Sequence, residues 1–142
     1  MTFAPSTALA ELLAQHEKLR EMMSTCDQLA DELDADGGDA ADLTREVARV
    51  RIAFDAHNRH EEALLRPVLE STDAFGDVRI DQMVTAHVEE HRVLRSHLGL
   101  WTATSALREV LADLRAHLEA EERYFLTARI LRDDVVSVEG GG

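Results

Sequence analysis

Apolar residues recur at helical spacing in four stretches of the chain, separated by three short breaks. In the first stretch, 6–33, Leu9, Leu12, Leu13, Leu19 and Met23 share a stripe with His16. Asp34-Ala35-Asp36-Gly37-Gly38-Asp39 interrupts it, because paired glycines end helices and aspartates start them. The second stretch, 40–69, aligns Val47, Val50, Phe54 and Leu64 with His57 and Glu61. Pro67 lacks a backbone donor and predicts a kink or stop near its end. After a break over 71–77 that contains Gly76, the third stretch, 78–101, aligns Ile80, Val84, Leu94 and Leu98 with His87 and His91. Thr102 to Ser105 supplies cap-type residues and predicts a tight turn. The fourth, 106–131, carries Val110, Leu114, His117, Glu121 and Tyr124 in line. The chain then runs into Gly140-Gly141-Gly142, which reads as a loose end. The expected organisation is one domain over 1–133 and a flexible Gly-rich tail over 134–142. Four amphipathic segments with short connections predict an all-α fold, an antiparallel up-down-up-down four-helix bundle.

Composition narrows the partners. The 142 residues suffice for one buried core. A formal charge of −13 argues against nucleic acid and anionic membrane surfaces, whose phosphates repel an acidic protein. No stretch approaches the ~18–20 apolar residues of a membrane span. Met1 to Leu13 lacks a basic region and carries Glu11, so no signal peptide is expected. Cys26 is the single cysteine, which excludes an internal disulfide and suits a reducing cytoplasm.

The informative residues are the polar ones on stripes that should be apolar. His57 and Glu61, His87 and His91, and His117 and Glu121 are each four apart, and the first stripe offers His16. Residues at that spacing lie one turn apart on the same helix face, so each pair can aim two donors at one point. At ~1.5 Å per residue, His16 stands roughly 27 Å before the first turn and His57 about 25 Å after it. His91 and His117 stand about 17 and 19 Å from the last turn, and His57 and His87 about 18 and 14 Å from the middle one. In an antiparallel bundle, equal distances from a turn mean equal height, so all four clusters can share one layer.

Buried imidazoles and carboxylates without partners would destabilise that layer, and a metal that coordinates them removes the cost. Five histidines and two carboxylates suit iron better than calcium or magnesium, which take all-oxygen shells. Structural zinc closes at about four ligands, fewer than the set offers. Two six-coordinate irons bridged by Glu61, Glu121 and one solvent-derived oxo or hydroxo group would use every donor and leave one position open. A ferritin-like di-iron site needs Glu-x-x-His pairs, and no histidine here has Glu or Asp three residues before it.

Four stretches carry a family resemblance: Gln15-His16-Glu17-Lys18-Leu19; His57-Asn58-Arg59-His60-Glu61-Glu62 followed by Pro67; His87-Val88-Glu89-Glu90-His91-Arg92; and His117-Leu118-Glu119-Ala120-Glu121-Glu122. In this order they resemble the hemerythrin-like (HHE cation-binding) family, from His16 to about Phe125. The resemblance implies a non-haem di-iron centre. One iron would take His87, His91 and His117, the other His16 and His57 with the open position, and Glu61 and Glu121 would bridge. Family members place the last carboxylate four or five residues after its histidine, which Glu121 and Glu122 both satisfy. Glu121 shares the face of His117 and is the expected bridge.

The resemblance implies reversible binding of dioxygen at the open iron, for storage, delivery or sensing. The alternative is a di-iron peroxidase or catalase-like enzyme acting on hydrogen peroxide or nitric oxide. A metal-free interaction module is a third reading, under which replacing His87 or His117 by Ala would leave stability unharmed. His60 reads as a solvated residue or one that supports a ligand, and His97 as surface. Tyr124 is expected to be a buried phenol in line with the site. Met23, Phe54, Leu94 and Phe125 are expected core, Cys26 a quiet buried thiol, and Trp101 a packing residue at the last turn. The acidic runs Asp31-Glu32 and Glu89-Glu90 are expected to be solvated faces.

Overall fold

A computed structural model of the chain describes residues 5–71, 77–124 and 126. It contains four helices: α1 (Pro5–Asp34), α2 (Ala40–Ser71), α3 (Asp77–Leu100) and α4 (Thr104–Tyr124). The expected 134–142 tail, Phe125 and the end of the fourth segment beyond 126 lie outside the described residues, as do Gly76 and the Ile80 side chain.

The first connection shows how sequence stops one helix and starts the next. Asp36 takes the left-handed conformation (φ 61°), a role expected of a glycine. The Gly37 N–H then bonds to the Glu32 carbonyl at 2.9 Å and the Asp36 N–H to Leu33 at 3.1 Å, which satisfies the last carbonyls of α1. Gly38 is needed for close approach, since a Cβ there would lie 2.8 Å from the Leu33 nitrogen. Asp39 caps α2, its Oδ1 accepting from the Ala41 N–H at 2.9 Å.

Two helix ends depart from the expected pattern. Pro67 does not stop α2, which continues through it to Ser71. The carbonyl that loses its donor belongs to Ala63, and both residues are exposed, so water can satisfy it. α4 ends at Tyr124 rather than near residue 131. There the chain turns, the Leu126 N–H bonding to the Glu121 carbonyl at 2.7 Å.

Each helix packs against two others, α1 on α2 and α4, and α3 on α2 and α4. Ion pairs between α1 and α4 run in opposite chain order: Asp34 and Asp31 with Arg108, Asp27 with Arg115, and Arg20 with Glu122. Those two helices are therefore antiparallel. The acidic run at Asp31 is paired across this seam rather than only solvated.

Two apolar clusters fill the interior. The larger joins all four helices through residues such as Met23, Leu43, Val47, Phe54, Leu98, Leu107, Leu111 and Leu114. The smaller joins Leu12 to Leu126, with Leu9, Leu13 and Leu64 against them. Met23, Phe54, Leu94 and Cys26 are buried as expected, and Trp101 packs on the larger cluster. Burial and the carboxylates of Glu46 and Asp27 push the Cys26 thiol up to about 12, which keeps it protonated and inert. No helix among the described residues is long and apolar enough to cross a membrane.

Candidate metal centre

Between the two apolar clusters lies a layer of buried polar side chains: His16, His57, Glu61, His87, His91, His117 and Glu121, none more than 5% exposed. All seven residues singled out by spacing are thus brought together, and none is turned to solvent. They form two groups, His87, His91, His117 and Glu121, and His16, His57, Glu61 and Glu121, within each of which the donor atoms lie within 4.8 Å of one another. Glu121 belongs to both. Glu61 also spans them, with Oε2 3.0 Å from His57 Nε2 and Oε1 against His87 Nε2.

Glu122, the other carboxylate at family spacing, faces away from this point. It accepts from His16 Nδ1 at 2.7 Å and from Arg20 at 2.7 Å. The choice between the adjacent glutamates is therefore one of direction: Glu121 points into the layer and Glu122 braces a histidine from outside it.

That bracing recurs. His91 Nδ1 donates to Glu62 at 3.0 Å, His117 Nδ1 to Glu90 at 2.8 Å, and His57 Nδ1 to Gln15 Oε1 at 2.7 Å. A carboxylate can only accept, so it fixes the proton on Nδ1 and leaves the Nε2 lone pair facing inward. This is the arrangement in which histidine ligates metal. Gln15 also donates through Nε2 to His60 Nδ1 at 2.9 Å, so His60 supports the histidine layer from outside and stands apart from the converging groups. Glu90, expected as a solvated face, is half-exposed and still holds His117.

Inside the layer, His87 Nε2 bonds to Glu61 and, at 2.9 Å, to Glu121, but other polar atoms stay unsatisfied. His91 Nε2, His117 Nε2, Glu61 Oε2 and Glu121 Oε1 are buried without a hydrogen-bond partner. His117 Nε2 and Glu121 Oε1 are only 3.0 Å apart, yet are not aligned as donor and acceptor. His16 Nε2 faces His57 Nε2 at 3.1 Å, where at most one can carry the shared proton. Lone pairs that converge on common points rather than on each other fit a cation. The residues present therefore fit a bound metal.

Electrostatics agree. Burial disfavours imidazolium, but the Glu121 and Glu61 carboxylates outweigh it and raise His57 to about 9 and His87 to about 10. His117 is raised in the same contest, chiefly by Glu121. Burial alone would raise Glu121, yet the surrounding imidazoles of His117, His16, His57 and His87 hold it far below the ordinary carboxylate range. Without metal, protons on the histidines balance the buried carboxylates, so a metal must displace them.

Three features differ from the sequence reading or were absent from it. Tyr124 is 61% exposed rather than a buried phenol, because α4 ends there and Leu126 takes the interior place beside Leu12. Asn58 is fully buried with neither side-chain polar atom bonded. Its position one residue from His57 and three from Glu61 is visible in the sequence, but spacing says nothing of its isolation. The partners Gln15, Glu62 and Glu90 were also missed; their only prior signal is adjacency to a ligand-type residue on a flanking helix.

A helical bundle with a buried histidine and carboxylate layer, converging on two points, defines a metal-binding protein of the all-α class. Residues 7–129 match the hemerythrin HHE cation-binding domain, and the chain belongs to that family. No curated relative and no solved structure matches it.

Proposed function

We propose that the chain holds two iron ions in this layer and takes up dioxygen reversibly at one of them, in storage, delivery or sensing. The observation that carries the reading is that two donor groups share Glu121 while Glu61 reaches into both. His87, His91 and His117 would hold one ion, His16 and His57 the other, with Glu61 and Glu121 between them. The group with two histidines has fewer nitrogen donors and so leaves room for an exogenous ligand. Five histidine nitrogens beside two carboxylates favour a borderline transition metal over calcium or magnesium, and exceed what one zinc uses. When bound, the iron pair supplies the electrons and the open coordination position that dioxygen uptake needs.

The protein's own residues would do the rest. Glu122, Gln15, Glu62 and Glu90 hold the imidazoles in orientation through Nδ1. Phe54 packs edge-on against the rings of His91 and His117, and Leu12 with Leu126 closes the opposite side. Those apolar walls keep bulk water from the layer. Cys26, single and protonated, suits a reducing cytoplasm.

Anaerobic iron loading followed by exposure to air tests this reading. About two irons per chain and an optical change that reverses on deoxygenation are expected; a single zinc in every preparation would refute it. Asn58 favours a second reading, a di-iron enzyme that consumes hydrogen peroxide or nitric oxide. A buried amide with unused donors and acceptor beside the ligand helix face can hydrogen-bond a polar oxygen substrate. Sustained peroxide consumption by the loaded protein, lost in Asn58→Leu with iron retained, would establish the enzyme instead.

A further inference from the structure

Away from the metal layer, at the end of the bundle that carries the 35–39 and 101–103 connections, a groove of about 500 Å³ opens between α2 and α3. Leu33 and Trp101 supply apolar wall above the buried Val47 and Leu98, and Arg51 is the single charged residue lining it among the described residues. The Arg51 guanidinium lies across the α3 backbone at Gly99, where a Cβ would come within 3.0 Å of Nη1. Gly99 thus provides the flat seat on which the cation rests.

Arg51 is unusual in this protein. Arg20, Arg45, Arg49, Arg59, Arg92, Arg95, Arg108, Arg115 and Arg123 each pair with a carboxylate. Among arginines with described side chains, Arg51 alone has no ion pair, although the chain carries 28 acidic residues against 15 basic. An unpaired guanidinium presents a planar fork of donors suited to a carboxylate. The groove volume falls within the range of small-ligand pockets, and its lining combines apolar wall and a few threonines with one charged group.

We infer that this groove binds a small amphipathic carboxylate, its head on Arg51 and its apolar chain along Leu33 and Trp101. A single negative charge also suits the strongly acidic protein better than an acidic macromolecule, which the net charge of −13 would repel. The site is separate from the metal layer and does not depend on what that layer binds.

Trp101 is the only tryptophan in the chain and lines the groove, so its emission reports occupancy directly. Decanoate titrated into the full-length protein should produce a saturable change, matched by equilibrium dialysis with labelled decanoate. Decanol, which lacks the charge, and acetate, which lacks the chain, should bind far more weakly. Arg51→Gln should weaken decanoate by about tenfold or more, as loss of a charge-assisted bond implies, with iron content and melting temperature unchanged. Ala48→Phe, which fills the groove and keeps the cation, should abolish binding. Arg51 is exposed, so its replacement leaves the core intact. Decanol binding as tightly as decanoate, unaltered affinity in Arg51→Gln, or no saturable uptake by dialysis would each overturn the proposal.

Discussion

Toward the 35–39 connection, the four helices meet through Ala30, Leu43, Val47, Leu98, Leu107 and Leu111, all essentially without exposure. Further along the same helices, the same inward stripes present His57, Glu61, His87, His91, His117 and Glu121, equally buried. The first region is held by non-directional apolar burial, worth roughly 1.5–3 kcal/mol per large side chain, and needs nothing from outside the protein. The second contains polar atoms at close range that satisfy one another only in part, and it becomes favourable only with protons or a cation between them. The apolar half therefore secures the bundle, and the polar half is conditional on its occupant. That division lets a protein carry a destabilising site without losing its fold.

Substitutions in the two halves should separate these contributions. The largest effect is expected from His87→Ala or His117→Ala in metal-loaded protein. Each leaves buried carboxylate charge uncompensated, costing about 3–5 kcal/mol, and lowers metal content. Melting temperature with metal analysis checks this, and an unharmed protein would support the metal-free interaction module instead. Leu111→Ala should cost about 2–5 kcal/mol through the cavity it leaves, with metal content unchanged. If it also emptied the site, the two halves would not be independent.

Acidity should distinguish the halves without mutation. In metal-free protein, His57 and His87 are raised to about 9 and about 10 in the fold, against about 6.5 in an unfolded chain. Their stabilisation is present in full below pH ~6.5 and is lost as pH rises through about 9 to 10. Metal affinity should climb over the same interval, because binding displaces those protons. Denaturant melts of metal-free and loaded protein across this window should show opposite trends.

Glu62→Gln or Glu90→Gln keeps the shape but weakens the hold on His91 or His117, and should lower metal affinity about 10–100-fold. Competition with a chelator measures it. The smallest effect is expected from Asp39→Ala, which removes the α2 cap for about 1 kcal/mol and should leave metal binding untouched.

The four helices and all seven converging donors were legible because helical spacing is local: a histidine on an apolar stripe has only one interior to face. The same local rules placed the Asp39 cap and the break before it. At Pro67 the expected stop does not occur, because exposure of Ala63 and Pro67 lets water replace the missing hydrogen bond.

What depends on helix rotation and termination was decided only in three dimensions. Four-residue spacing from His117 already puts Glu121 on the inward face, but only the packing of α4 against α1 sends Glu122 onto His16 and Arg20. Tyr124 shares the His117 stripe, yet α4 stops there and Leu126 takes the interior place. Gln15, Glu62 and Glu90 find their histidines across helix boundaries, at chain separations that no periodicity encodes. Spacing along one helix fixes which face a side chain occupies; which neighbour it meets is set by how that helix turns against the others.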